Sequence, residues 1–100
     1  MRNVRRTARA RLAAYRRYLA IALAGGCVDC GNQDIRVLEF DHVRGAKVAN
    51  VARMVLDASL DRVIAEIEKC EVRCRNCHAI ATYERLGGSW RDEFVQRPSL

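Results

Sequence analysis

Cys27-Val28-Asp29-Cys30 and Cys74-Arg75-Asn76-Cys77 frame this chain. Together they read C-x2-C-x43-C-x2-C, two pairs spaced so that each turn offers two sulfurs to one ion. Zinc takes four thiolates in a tetrahedron and leaves no open position for a substrate, so the expected role of such an ion is structural. It would tie together the two ends of a long inserted segment, where a cross-link removes most unfolded-state entropy. A chain of 100 residues makes one modest core and gains from a staple of this kind. Disulfides are the competing use of cysteine. An odd count of five, no recognisable signal peptide and two C-x-x-C pairs favour the metal. Redox chemistry of the thioredoxin type would want one such pair in a βαβ setting, which the pattern lacks. The fifth cysteine, Cys70, falls three residues after Ile67 on a helical stripe, and a buried free thiol is expected there.

Upstream of the first pair, Asn3 to Ala24 contains no proline or glycine and is rich in alanine, arginine and leucine, which predicts a helix. Val4, Ala8, Leu12, Tyr15, Leu19 and Leu23 form one apolar stripe along it, and Gly25-Gly26 ends it. The net charge of +6 is concentrated in this segment. Arg2, Arg5, Arg6, Arg9, Arg11, Arg16 and Arg17 all precede the first acid, Asp29, and the rest of the chain is nearly neutral. Such a cluster suits an anionic partner: arginines contact phosphates in a salt-dependent, largely sequence-independent way. Arg2, Arg5, Arg6, Arg9, Arg16 and Arg17 are the candidate nucleic-acid contacts. An arginine-rich start can also be a targeting peptide, but serine is scarce here and only two glycines separate the helix from the first cysteine pair.

Between the cysteine pairs, Ile35 to Phe40 reads as a strand, with Asp41-His42 directly after it and a turn at Gly45. Val48 to Leu56 and Leu60 to Lys69 read as helices. Leu60, Val63, Ile64 and Ile67 form a core-facing stripe, with Ser59 as N-cap. Glu71-Val72-Arg73 is a second strand candidate. A last helix opens at Cys74 and runs to about Leu86, ended by Gly87-Gly88, and the tail from Ser89 is expected to pack loosely. The expected organisation is a basic amphipathic helix over 1–26, a zinc-stapled α+β domain over 27–88 and a tail over 89–100. No apolar run approaches the roughly 20 residues that cross a bilayer, so no membrane role is expected.

A closed zinc site performs no chemistry, and both histidines of the chain lie elsewhere. His42 follows Asp41 at a strand end, and His78 follows the last cysteine at a helix start. Hydrolysing a phosphodiester needs an activated water, stabilisation of the phosphorus centre and help for the leaving oxygen. A hard divalent ion on carboxylate and imidazole ligands provides the last two, and a neutral histidine provides the first. Asp41, His42 and His78 hold that minimum set of two ligands and one base, and zinc at residues 74–77 would bring His78 toward Asp41-His42.

Leu38-Glu39-Phe40-Asp41-His42, with C-x-x-C-G upstream and C-x-x-C-H downstream, resembles the zinc-containing branch of the HNH endonucleases. It is especially similar to the small stand-alone members of bacteriophages and prophages. The resemblance runs from Cys27 to about Arg85 and implies a ββα-metal core (two short strands, then a helix, around one divalent ion). It implies that Asp41 and His78 hold that ion, Mg²⁺ or another such as Mn²⁺ or Ni²⁺, and that His42 activates water. The implied activity is nicking or cleavage of DNA, double-stranded for preference, with weak sequence specificity. A cytoplasmic bacterial or phage-encoded setting, with packaging proteins as partners, follows from the resemblance alone. The family's middle asparagine is missing from its usual place, which here reads Glu66-Ile-Glu-Lys-Cys70. Asn50 or Asn76 stands in for it, and Asn50 is carried among the candidate catalytic residues. Ala79-Ile80-Ala81 occupy a stretch where the family often has a basic residue, and Arg85 is the nearest one. A non-catalytic zinc-knuckle module that binds nucleic acid is the rival reading, and an adaptor docking an acidic protein through the arginine helix is a second.

Overall fold

The structure is a computed structural model and describes residues 4–96, with side chains from Thr7 onward. It is a mixed architecture of four α-helices and one small two-stranded sheet. Helix α1 spans Val4–Leu23, strand β1 Leu38–His42, α2 Val51–Asp57, α3 Leu60–Ile67, β2 Cys70–Cys74 and α4 Arg75–Arg85. Short 3-10 turns lie at Ile35–Val37 and Trp90–Phe94. None of these helices is long and apolar enough to cross a membrane.

Helix α1 follows its apolar stripe only over its second half. Thr7 to Arg11 are exposed, Ala8 included, while Leu12, Tyr15 and Leu19 are partly buried and Leu23 is buried. The side chain of Val4 lies outside the described residues. Arg11 donates to the carbonyls of Leu56 and Ala58, and the Tyr15 hydroxyl also donates to Ala58 O. These contacts satisfy carbonyls at the end of α2, which its own helix leaves unpaired. Gly26 has φ +84° and lies so close to Asn32 O that a Cβ there would sit 3.0 Å away. The chain leaves α1 at this point, and the knuckle begins.

Strand β1 starts later than the sequence suggests. Ile35 to Val37 form a 3-10 turn capped by the Asp34 side chain, which accepts from the Arg36 N–H at 3.1 Å. A local Asx-type cap competes with extension there. The strand instead runs on through Asp41 and His42. It pairs antiparallel with β2, with Leu38 opposite Cys74, Glu39 opposite Arg73, Asp41 opposite Glu71 and His42 opposite Cys70.

A two-stranded sheet is marginal alone, and two small clusters support it. Leu23, Cys27, Leu38 and Cys74 bury one end, with Phe40 and Val72 packed on them. Val51, Met54, Val55 and Val63 bury the other, against Leu12, Tyr15, Leu19 and Phe40. Helix α2 begins at Val51 rather than Val48, because Asn50 is its extended N-cap residue. Ser59 caps α3, accepting from the Arg62 N–H. The inward face of α3 differs from the expected stripe: Val63 and Glu66 are buried, whereas Leu60 is exposed. After α4, the Trp90–Phe94 turn carries a full capping box between Ser89 and Asp92. The tail is therefore locally ordered as far as Val95, although Trp90 and Phe94 stay exposed.

Candidate metal centre and adjoining cleft

Cys27, Cys30, Cys74 and Cys77 converge so that their sulfurs all lie within 4.8 Å of one another. The group can hold a metal ion such as zinc. Tetrahedral ligands at zinc–sulfur bonds of about 2.3 Å stand about 3.8 Å apart, and Cys30 Sγ and Cys74 Sγ, one from each pair, are 3.7 Å apart. The knuckle that presents the first pair is held by backbone bonds. Gly31 N–H donates to Cys27 O and Cys27 N–H to Asn32 O, both at 2.9 Å, and Val28 N–H donates to Val72 O on β2. Burial opposes ionisation of Cys27, but the backbone N–H groups of Cys74, Cys30 and Asp29 bring its thiol down to about 6. The Cys77 thiol is pushed up, first by its bond to Cys74 and then by burial. A cluster in which the Cys27 thiolate forms readily while the Cys77 thiol is pushed up is one that a cation would complete.

Cys70 stands apart from this group. It is half-buried rather than fully buried, and its thiol donates to Glu66 O at 3.3 Å. Burial, with the charges of Glu66 and Asp41, pushes it up to about 11.

Alternation along β1 sends Asp41 and His42 to opposite faces. Asp41 is 2% exposed and faces α4. Arg85 donates to it from both terminal nitrogens, Nη1 to Oδ1 at 2.8 Å and Nη2 to Oδ2 at 2.7 Å. Arg73 adds a bond to Oδ2 at 2.8 Å. The Arg85 bond holds the Asp41 carboxyl below its ordinary range, against the effect of burial. Arg73 also donates from Nε to Asp29 Oδ2 at 2.8 Å. Since Asp29 lies inside the first C-x-x-C turn, one guanidinium braces Asp41 against the cysteine knuckle.

His78, on the first turns of α4, lies between two carboxylates. Its Nδ1 is 2.9 Å from Glu39 Oε1 and its Nε2 is 3.3 Å from Asp41 Oδ1. If Nδ1–H donates to Glu39, the Nε2 lone pair faces Asp41 Oδ1, a pair of donors that a cation could bridge. Asp41 and His78 are thus brought together as the sequence suggests. Glu39 was missed, although its place two residues before Asp41 on a strand puts it on the same face.

His42 turns toward α3 instead. Its Nε2 is 2.8 Å from Glu66 Oε2, a contact absent from the sequence reading. Both histidines nevertheless line one cleft of about 450 Å³, with Glu39, Asn50 and Arg75 at its polar wall and Leu19, Leu23 and Phe40 among its apolar lining. Residues from both faces of β1 border it, so it follows the strand's unpaired edge. Asn50 reaches the cleft and makes no side-chain cap bond; Asn76 is exposed on α4. Of the arginine candidates, Arg9, Arg16 and Arg17 are exposed on α1. Arg2 lies outside the described residues, as do the side chains of Arg5 and Arg6.

No family model matches the chain, and neither a curated protein nor a solved structure matches it.

Proposed function

We propose that the chain is a metal-dependent endonuclease of the HNH type, hydrolysing phosphodiester bonds in double-stranded DNA with weak sequence preference. The observation that carries this reading is the 3.3 Å approach of His78 Nε2 to Asp41 Oδ1, beside a cleft that His42 and Asn50 also line. β1, β2 and α4 correspond in this reading to the two strands and the helix of a ββα-metal core, with zinc on the four cysteines holding α4 against the sheet. Asp41 and His78 are the residues that would hold a divalent ion (Mg²⁺, Mn²⁺ or Ni²⁺), one carboxylate and one imidazole, a donor set suited to it. When bound, that ion supplies Lewis-acid stabilisation of the charge on phosphorus and on the leaving oxygen. Glu39 fixes the ring of His78 by accepting from Nδ1 and leaves Nε2 free as a ligand. His42 takes the proton of the attacking water. The arginines of α1 follow the phosphate backbone.

The test is a supercoiled-plasmid nicking assay in EDTA and then in Mg²⁺, Mn²⁺ or Ni²⁺, comparing the wild type with His42→Ala. Nicking that requires the metal and disappears with His42 is the expected result. No nicking with any of these ions, from folded and zinc-loaded protein, would sink the proposal.

A second reading, a zinc-knuckle module that binds nucleic acid without cutting it, is favoured by the arginines on Asp41. Arg73 and Arg85 together already engage both oxygens of that carboxylate. Salt-sensitive DNA binding with no cleavage would select it.

A further inference from the structure

Glu66 is 2% exposed, the most deeply buried carboxylate of the described residues together with Asp41. Its Oε2 accepts from His42 Nε2 at 2.8 Å and from the Val48 N–H at 3.0 Å. Its Oε1 lies 2.9 Å from Lys69 Nζ, which also donates to Ala46 O at 2.7 Å. One carboxylate therefore grips the loop after β1 at Ala46 and Val48, the latter directly and the former through Lys69. The same group holds one end of the His42 ring, whose side chain is 15% exposed and borders the cleft.

From this geometry we infer that Glu66 is the positioning residue of His42, fixing the ring orientation and the tautomer in which Nε2 carries the proton and Nδ1 is free to accept one. The inference rests on the nuclease reading. Glu66 then fills from α3 the two roles for which the sequence offered only asparagines, holding the loop and orienting the base. It lies in the stretch 66–70 where an asparagine was expected. Burial alone would raise its carboxyl, yet Lys69, the Val48 N–H and His42 bring it down to about 2, so it is an anion that accepts from Nε2–H. A water in the cleft gives its proton to Nδ1 as its oxygen bonds to phosphorus and the bond from phosphorus to the leaving oxygen breaks. The leaving oxygen takes a proton from solvent. The Nε2–H bond to Glu66 persists throughout and stabilises the imidazolium, which then returns its proton to solvent.

Two substitutions in the zinc-loaded full chain test this. Glu66→Gln removes the charge facing His42. Lys69→Met loosens the loop and removes one of the three groups that hold Glu66 ionised, leaving the Val48 N–H and His42 on the carboxylate. Nicking is measured under conditions where circular dichroism shows all variants folded. Nitrogen-15 NMR follows the hydrogen-bonded Nε2–H proton of His42, assigned with His78→Ala. The expected result is that Glu66→Gln loses this slowly exchanging proton and nicks about 100-fold more slowly, while Lys69→Met keeps both. Wild-type nicking by Glu66→Gln, or an equal loss in Lys69→Met, would overturn the inference and leave the nuclease reading standing. A wild type that shows the Nε2–H proton but nicks with no metal would overturn both, and the fault would then lie with the nuclease reading.

Discussion

Arg85 and Asp41 form a two-point ion pair across α4 and β1, each terminal guanidinium nitrogen on its own carboxylate oxygen at 2.8 and 2.7 Å. Arg85 is 45% exposed on its side chain while Asp41 is 3% exposed, so the partner that reaches solvent is the one able to move. A divalent ion at Asp41 and His78 must share the carboxylate with this guanidinium. Arg85→Ala is therefore expected to tighten Mn²⁺ binding several-fold, measured by calorimetry on zinc-loaded protein, at a small cost in stability. Unchanged or weaker Mn²⁺ binding would show that Arg85 does not compete with the ion. Asp41→Ala is the less informative variant, since it leaves Arg73 and Arg85 facing each other and is expected to cost about 3–5 kcal/mol.

With zinc on the four cysteines, as proposed above, removing the ion should unfold the domain. Structural zinc contributes about 10–16 kcal/mol in small metal-dependent domains, more than two small core clusters and a two-stranded sheet can replace. Cys74→Ser should lose stoichiometric zinc and most helical circular dichroism together. Cobalt substitution in the wild type should give the absorption of a tetrahedral thiolate site. Retention of the native spectrum after complete metal removal would contradict a structural role for the ion.

Acid should destabilise the protein partly through Glu66. Its carboxyl sits at about 2 in the folded protein against an ordinary 4.5, so between these values the unfolded chain binds the extra proton. The contribution is complete above about pH 4.5 and is lost as pH falls toward 2, with an upper bound of about 3 kcal/mol. Glu66→Gln should be less stable than the wild type at neutral pH by up to that amount, and the two should converge as pH drops. Chemical denaturation across this range, with zinc content followed in parallel, separates the effect from acid release of the metal. A gap that stays constant with pH would refute the assignment.

The exposed arginines of α1 should set the salt dependence of DNA binding. Every phosphate that an arginine ceases to neutralise lowers the slope of log K against log salt by about 0.9. Replacing Arg9, Arg16 and Arg17 together by alanine should flatten the slope by up to about 3 without unfolding the protein, as judged by fluorescence anisotropy at several salt concentrations. Replacing Arg11 should behave differently: it caps carbonyls of α2, so its removal should reduce stability more than salt dependence. An unchanged slope in the triple variant would move the nucleic-acid interface elsewhere.

Local pattern made much of this fold legible. The cysteine spacing anticipated a cluster that brings residues 27–30 and 74–77 together, and the 3.6-residue stripe gave α1 nearly to its ends. Ser59 as a cap and the short second strand were also readable. What escaped was set by tertiary contact. Nothing around Glu66 marks it as buried, because a glutamate on a helix reads as a solvent residue until Lys69, the Val48 N–H and His42 are seen to converge on it. Arg73 similarly reads as an exposed strand residue, yet it joins Asp29 to Asp41. The start of β1 was misplaced because Asp34 captures a backbone N–H that hydrophobic alternation alone does not reveal. The metal and base roles of Asp41, His78 and His42 came from resemblance and chemistry, and they stay with the experiments above.

The last rung of the ladder, His42 opposite Cys70, is also where α2 and α3 leave and rejoin the sheet. The segment from Val43 to Lys69 thus departs and returns at one point, much like a domain inserted into a loop, and by topology alone it looks exchangeable for another of different length. Glu66 removes that freedom. Its carboxylate reaches from the insert back to the strand end, so a transplanted insert without an acid at this place would leave the four-cysteine cluster intact and His42 without its partner on α3. An insert of another length would have to supply both that carboxylate and the apolar face of Val51, Met54, Val55 and Val63 that packs on Phe40 and α1.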